Sequence, residues 1–403
     1  MRRIAAIVLC CATAFAVAGC MNPVSLDAND YVIMIGVDEG ENRQYCISFL
    51  IQREGLAGGG RTEELAVVLA AEGEGIYEAI ETVQAVSAHL LSFTRTNSIA
   101  VARNVAEAGL LSGFLGFDFD ALKLRDAVDI IVTEESAMDY LKAVRESADV
   151  NIAKLQQSLI EQHETAGTVA YATASARFEH ALRGTGDLPL AFAYVNAGIA
   201  SEQDEADDET APGGEAAEEA AEYAGGGPAG GDGDLLRGTV VHGSSPVTTA
   251  GAALFDGERM TGVLTPEETQ YLLLGSGSRK LRRLTIPGVG GGNDEVEIER
   301  MSAYGVTITL AEAPVISVRI ALRVSALDAA GGHSQSTELW AESIARELNA
   351  VFAKAQRANS DAFCFGRYAV LQFKSGDAWR EFDWKARYSN AEVRFDIELE
   401  VVE

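Results

Sequence analysis

The side chains that most often carry catalysis or bind metals are scattered along this chain. The five histidines show no H-E-x-x-H motif and no pair at metal-ligand spacing; they are His89, His163, His180, His242 and His333. The sequence also has no G-x-S-x-G nucleophile elbow and no phosphate-binding P-loop. Asp118-Phe119-Asp120 has no further ligands at EF-hand spacing, which favours a surface turn over a cation site. We therefore predict no enzymatic activity, no catalytic residues, no cofactor and no metal.

The cysteines divide into a leader group and two isolated residues. Cys10 and Cys11 lie in an apolar leader, and Cys20 ends it. Cys46 and Cys364 lie among apolar or aromatic neighbours, so free buried thiols are expected, because cysteine often behaves as a small core residue. One long-range disulfide between them is the alternative. The chain is not a disulfide scaffold.

The leader has the pattern of a secretory signal. Arg2 and Arg3 precede an apolar run at 4–17, and small residues stand just before Cys20. This run is shorter than the roughly 20 residues that a spanning helix needs. Its V-A-G-C ending resembles the bacterial lipobox, in which the cysteine receives a diacylglycerol and the chain is cut just before it. We predict a lipoprotein signal peptide at 1–19 with lipid attachment at Cys20; the alternative is an ordinary secretory signal ending near a cysteine.

Charge excludes one class of partner and limits how the chain could meet a membrane. The formal net charge is −28, and loss of the leader would remove two arginines. Such a chain is repelled by phosphate backbones and anionic headgroups, so nucleic-acid binding is not expected. Membrane association would then come from acyl chains, each buried CH₂ contributing about 0.8 kcal/mol. The basic island at 279–283 is expected to offset acidic neighbours, with a headgroup contact as the alternative.

The elements before residue 199 predict a mixed fold. After a tether at 20–30, the apolar run at 31–38 and the alternating residues at 45–51 indicate a hairpin. Apolar residues from Ile76 to Val86 recur at helical spacing. Strands and helices do not strictly alternate, which favours α+β over a doubly wound parallel sheet. We assign 31–198 to an N-terminal α+β domain.

The segment 199–236 differs from the rest in composition. It contains no Lys or Arg, twelve acidic residues and two glycine-rich stretches. Such a segment cannot bury enough apolar surface to offset its ordering entropy. We predict a disordered acidic linker or insertion; a tail that binds cations or a partner is the alternative.

Regular structure is predicted to resume after this segment. A middle domain at 237–292 holds two strands around an Asp-Gly turn and a helix with Thr265 as N-cap. A C-terminal α+β domain at 293–403 holds two long strands, a helix with an apolar stripe from Trp340 to Ala355, and an alternating last strand at 391–401 that we expect to be antiparallel. The fold class is thus α+β, in three domains of mixed sheets with packed helices, the last with its long helix against an antiparallel-rich sheet.

Several phrases of the sequence, taken in order, resemble those of the Ger(x)C lipoproteins, the C subunits of nutrient-germinant receptors in endospore-forming bacteria. The resemblance covers essentially the whole mature chain. After the lipobox the matching phrases are I-G-V-D at 35–38, G-I-Y-E-A-I at 75–80, A-L-F-D-G-E-R-M-T-G-V-L-T-P-E-E-T at 253–269, F-A-K-A-Q at 352–356, S-D-A-F-C-F-G at 360–366, and the tryptophans Trp379 and Trp384. The family usually has Cys-Trp-Asp at the lipidation site, whereas here Met21-Asn22-Pro23 follows Cys20.

The resemblance implies a non-catalytic, three-domain α+β protein. It would be lipid-anchored on the outer leaflet of the cytoplasmic membrane, which is the spore inner membrane. Its partners would be the integral membrane A and B subunits of the germinant receptor, and the nutrient-triggered germination response would need it.

Two other functions remain as alternatives. A lipid-anchored solute-binding protein of a transporter would need two similar lobes around a hinged cleft, and the long late strands with one C-terminal helix argue against that duplication. An envelope enzyme would need a titratable pair in a cleft, which the motifs do not supply.

Overall fold

The computed structural model describes residues 29–56, 62–111, 119–125, 128–146, 166–170, 172–196, 246–288, 292–327 and 337–402. Within these ranges the helices are α1 Ile76–Val86, α2 Arg103–Ala108, α3 Phe119–Leu122, α4 Ala137–Glu146, α5 Ala174–Arg183, α6 Pro266–Gly275, α7 Thr337–Arg357, α8 Gly366–Ala369, α9 Gly376–Phe382 and α10 Trp384–Tyr388, with a 3₁₀ turn at Val370–Gln372. The strands are β1 Asn29–Glu39, β2 Tyr45–Leu56, β3 Thr62–Gly73, β4 Leu90–Ser92, β5 Ser98–Ala102, β6 Asp129–Thr133, β7 Leu190–Val195, β8 Val247–Asp256, β9 Arg259–Leu264, β10 Arg283–Pro287, β11 Asn293–Thr309, β12 Val315–Ala326 and β13 Glu392–Val402.

The first nine strands form one sheet in the order β3-β2-β1-β5-β6-β7-β8-β9, with β4 paired to β1. Its centre is parallel, since β1, β5, β6 and β7 pair in the same direction. Its flanks are antiparallel hairpins, β1-β2-β3 on one side and β7-β8-β9 on the other. This mixture confirms the α+β prediction, and it includes a parallel centre that the sequence pattern did not show.

The predicted N-terminal elements agree with this sheet. The hairpin expected from 31–38 and 45–51 is β1 and β2. Helix α1 buries Ile76, Ala79, Ile80 and Val83 of the predicted stripe, whereas Val86, the last residue of the helix, is 82% exposed. The sequence also predicts a helix from Val150 into the 170s, most of which lies outside the described residues. In its described part Val169 forms a β-bridge with Gly251, and α5 begins only at Ala174.

The last four strands form a second sheet in the order β10-β11-β12-β13. Strands β10, β11 and β12 are antiparallel neighbours, as expected. The prediction that the last strand is antiparallel was wrong, because β13 runs parallel to β12 from Val315↔Glu392 to Ser325↔Val402. Helix α7 lies between these two strands in the chain, and such a crossover returns the chain to the same end of the sheet before the next strand starts.

Among the described residues, the hydrophobic core consists of two clusters. The first packs the nine-stranded sheet against its helices. The second lies between the four-stranded sheet, α6 and α7, and it takes in the predicted stripe of α7. Helix α6 begins with the predicted N-cap, where the Thr265 hydroxyl accepts from Glu268 N (3.2 Å) and the Glu268 carboxylate accepts from Thr265 N (2.8 Å).

The three domain boundaries at 198, 236 and 292 stay predictions. Strands β8 and β9, assigned from the sequence to the middle domain, lie in the same sheet as β1–β7. Strand β10 of that predicted domain lies in the other sheet.

Candidate functional site at the junction of the two sheets

The one site residue predicted from the sequence, Cys20, lies outside the described residues and stays a prediction. So does the acidic segment 199–236. Across the ranges that the structure describes, none of the helices is both long and apolar enough to cross a membrane.

A polar cluster joins the nine-stranded sheet to the part of the chain around the four-stranded sheet. We call it the junction. Three of its members, Arg177, Asp187 and Asp256, belong to the part of the chain that forms the nine-stranded sheet. The other four belong to the region of the last helices; they are Asn359, Asp361, Trp384 and Lys385.

Asp361 is the most buried carboxylate of the junction, with 2% of its surface exposed. It accepts hydrogen bonds from Phe365 N (2.9 Å), Gly366 N (2.8 Å) and the Trp384 indole Nε1 (2.8 Å). Burial raises the pKa of Asp361 to about 7, although the three donors oppose that rise. The segment 360–366 (S-D-A-F-C-F-G) therefore supplies two backbone N–H donors to its own Asp361.

Asp187 links this loop to the first sheet. Its carboxylate accepts from Asp361 N (2.9 Å) and from Gly257 N (2.8 Å), which lies in the turn between β8 and β9. Lys385 Nζ donates to both oxygens of Asp187 at 3.0 Å. These contacts connect residues 174 and 198 positions apart, so they are tertiary and not local.

Lys385 also pairs with Asp256 at 2.6 Å, and Asn359 Nδ2 donates to the other oxygen of Asp256 (2.9 Å). Partial burial would raise the pKa of Asp256, but the hydrogen bonds from Lys385 and Asn359 outweigh it and lower that pKa. The turn between β8 and β9 is thus held from two positions in the C-terminal part.

Arg177 supports the same turn from α5. It is 6% exposed and donates to Leu188 O (2.6 Å) and Gly257 O (2.9 Å), while its guanidinium lies 3.8 Å from the centre of the Phe255 ring. Burial lowers the pKa of Arg177 to about 10, which leaves it charged at neutral pH. The two backbone acceptors and the aromatic ring thus compensate the buried guanidinium for its lost hydration.

The backbones on the two sides of the junction approach closely. A Cβ at Gly186, whose φ is +149°, would lie 2.8 Å from Cys364 Cα, and a Cβ at Gly366 would lie 3.0 Å from Thr185 O. Trp379 Nε1 donates to Arg183 O (2.9 Å) across the same boundary. Position 186 requires glycine, because its φ angle disfavours other residues and because a Cβ there would collide with Cys364.

This geometry suits a structural role. The oxygens of Asp187 and Asp361 are engaged by donors of the protein itself. In the described parts of the chain, no three or more His, Cys, Asp and Glu side chains are grouped to hold a metal. The junction therefore connects two sheets through charge-assisted hydrogen bonds between residues of the protein itself.

The sequence phrases identified part of the junction. The phrases at 253–269 and 360–366 contain Asp256, Gly257 and Asp361, and Trp384 was also noted. Arg177, Asp187, Asn359 and Lys385 were missed. The only signal that could have indicated Asp187 is its place after Gly184-Thr185-Gly186, a short glycine-rich turn.

The two isolated cysteines and the basic island were also located. Cys46 is half-buried and Cys364 buried, and both are free, as expected. Burial raises the pKa of the Cys364 thiol, which makes it unreactive.

Arg279 and Arg282 of the basic island line a shallow cleft of about 270 Å³ with Arg300 and Glu299.

Both parts of the chain match models of one protein family. Residues 22–188 match the model described as spore germination protein N-terminal domain. Residues 250–403 match the model described as spore germination B3/GerAC like, C-terminal. The junction lies where these two matched regions meet, since Asp187 is in the first and Asp256, Asp361 and Lys385 are in the second.

A solved structure described as the crystal structure of the GerBC protein is similar over 92% of this chain and 97% of its own, with 11% identity and a TM-score of 0.46. No curated protein matches the chain. On the two family models, the chain belongs to the Ger(x)C family of spore germination proteins.

Proposed function

We propose that this protein is a non-catalytic, lipid-anchored subunit of a spore germinant receptor, needed for the nutrient-triggered germination response. The observation that carries the proposal is the match of both parts of the chain to spore germination models. The V-A-G-C ending of the leader supports Cys20 as the lipidated residue. The anchor would hold the chain on the outer leaflet of the spore inner membrane, beside integral A and B subunits.

The junction supports a role that depends on shape more than on chemistry. It fixes two sheets in one arrangement through buried and half-buried polar contacts. A subunit that assembles or stabilises a membrane complex needs such a fixed surface, because ordering the surface on binding would cost affinity.

The first test is dipicolinate release from spores after addition of nutrients. We expect deletion of the gene and the substitution Cys20→Ala to abolish the response to the same nutrient class. Cys46→Ala is the matched control, since it removes a half-buried thiol outside the leader and should leave the response intact. A normal response of the Cys20→Ala spores would contradict the role of the anchor.

The second test addresses the partners. Affinity capture of the full chain from spore membranes should recover integral receptor subunits, and a capture without them would contradict the proposal. Calorimetry of the isolated chain against amino acids and sugars tests the rival function, because tight binding would indicate a solute-binding protein.

A further inference from the structure

The chain enters the fold beside a segment that carries exposed apolar side chains. Strand β1 starts at Asn29, and its first residues pair with β4, Asn29 with Leu90 and Tyr31 with Ser92. The residues that precede and follow β4 therefore surround the place where the N-terminal tether joins the fold. We call their exposed set the exit face; it consists of Ala85, Val86, Ala88, His89, Leu90, Thr94 and Arg95.

Two large apolar side chains of the exit face lie in solvent. Val86, the last residue of α1, is 82% exposed and Leu90 is 63% exposed. Single exposed apolar residues are ordinary on protein surfaces. These two are four positions apart at the base of the tether, whereas Ile76, Ala79, Ile80 and Val83 of α1 are buried in the core.

The exit face carries no carboxylate of its own, whereas the chain as a whole is strongly acidic. Residues 82–106 contain no Asp or Glu, although the chain has 60 of them. The charged or titratable side chains in this stretch are His89, Arg95 and Arg103. An acidic protein is repelled by anionic headgroups, so a face without carboxylates approaches them at a lower electrostatic cost than the acidic surfaces do. The stretch 269–293, which contains the basic island, also lacks Asp and Glu.

Contacts with β1 fix the orientation of the exit face. The fully buried carboxylate of Asp30 accepts from Ser87 Oγ (3.0 Å) and lies 3.8 Å from His89 Nδ1. The Arg95 guanidinium lies 4.0 Å from the centre of the Tyr31 ring. The segment is thus held against the strand that continues the tether.

The length of the tether limits how far this face can lie from a lipid attached at Cys20. Eight residues lie between Cys20 and Asn29, so nine Cα-to-Cα steps join them, and fully extended these steps span at most about 32 Å. That distance is about the hydrocarbon thickness of one bilayer. The start of the fold at Asn29 therefore lies within about 32 Å of a lipid attached at Cys20.

We propose that the exit face lies against the lipid bilayer, with Val86 and Leu90 at the boundary between headgroups and acyl chains. This inference rests on the proposed function, because it requires the lipid at Cys20. Apolar side chains with a neighbouring arginine suit this boundary, where the chain buries its apolar part and the cation meets phosphate. The contact would set one orientation of the protein on the membrane.

Fluorescence quenching in vesicles tests the inference. The acylated full-length chain carrying Leu90→Trp is placed on vesicles of phosphatidylcholine and phosphatidylglycerol with brominated acyl chains. The matched control is Leu371→Trp, since Leu371 is 79% exposed in the 3₁₀ turn far along the chain. The three native tryptophans are buried and supply a common background.

We expect the indole introduced by Leu90→Trp to shift to shorter wavelength and lose most of its emission, and the one introduced by Leu371→Trp to keep its emission. Equal quenching at both positions, or none at position 90 in a protein that sediments with the vesicles, would overturn the inference. The proposed anchor would survive that result. A protein that fails to sediment with the vesicles would instead overturn the anchor, and the inference with it.

Discussion

The two sheets bury their residues in different ways. Strands β5 and β6 of the nine-stranded sheet are buried at consecutive positions, so side chains on both faces are covered. Strands β12 and β13 of the four-stranded sheet alternate between a covered and an exposed face. Successive side chains of a strand point to opposite faces, so the first sheet lies inside the molecule and the second has one face in water.

The difference explains where this protein can meet partners. The centre of the first sheet is parallel, and the described side chains of β5 and β6 are covered on both faces. The second sheet exposes charged residues from three strands, with ion pairs such as Arg319–Glu398 and Arg323–Glu400. The protein thus has one sheet whose central strands are covered on both faces and a second sheet with one exposed polar face. Substitutions can test the two sheets separately.

The largest effect is expected from charges placed at adjacent positions of a central strand. Ile130→Asp and Ile131→Asp should each cost more than about 4 kcal/mol of unfolding free energy, because both side chains are fully buried. On β12, Val318→Asp should be as severe and Ser317→Asp should change stability by about 0.5 kcal/mol or less. Urea denaturation measures all four. Tolerance of Ile131→Asp would contradict the two-sided burial of the first sheet.

The link between the sheets is expected to come next. Asp361→Ala leaves three buried N–H donors without an acceptor and should cost about 3 kcal/mol. Asp377→Ala is the matched control, because that side chain is 88% exposed in a surface pair with Arg380. Denaturant midpoints of the two variants would give the difference. Equal midpoints would show that the junction does not hold the fold together.

A smaller loss is expected from Gly186→Ala. The added Cβ meets the backbone of Cys364 at 2.8 Å in a conformation that disfavours side chains, and we expect a cost of about 2 kcal/mol. Gly305→Ala on β11 meets no atom within 4 Å and should leave stability unchanged or slightly higher. Thermal unfolding of both variants compares the close approach at the junction with the open face of the second sheet.

The dependence of the unfolding free energy on pH should reveal the titration of the Asp361 carboxyl in the junction. The pKa of Asp361 is about 7 in the folded chain and lower when unfolded, so between about pH 4 and 7 the folded state binds the extra proton. Its contribution to stability is therefore complete at low pH and falls by up to about 1.4 kcal/mol per pH unit as the pH rises through this window. Asp361→Asn should remove this slope, measured as the difference between the denaturation curves of the two proteins. An unchanged slope would show that Asp361 stays ionised.

The smallest effect is expected on the exposed face. Arg319→Ala removes the pair with Glu398, both of whose side chains are more than half exposed, and should cost about 0.5 kcal/mol or less. A larger loss in urea denaturation would mean that this face contributes to the fold as well as to the surface.

Much of the fold followed from local pattern. The stripe of α1 and the Thr265 cap were predicted because spacing and capping residues act over one or two turns. The half-solvated character of β13 was predicted from its alternation, but its direction was not, since parallel and antiparallel strands alternate alike. Asp187 and Lys385 could not be predicted, because their partners are about 70 to 200 residues away, and the short glycine-rich turn before Asp187 does not by itself single it out among 60 acidic residues.

The placement of β8 and β9 has a consequence for dividing the chain. Strand β9 and most of β8 lie within the second family match at 250–403, yet they extend the sheet built mainly by the first. A fragment cut near residue 250 would carry away two strands and leave the edge of β7 unpaired, while the fragment itself would hold a hairpin without its sheet. The two family regions are thus poor candidates for separate expression or for exchange between relatives, and chimaeras should be joined only where the whole edge hairpin travels with the sheet that it completes.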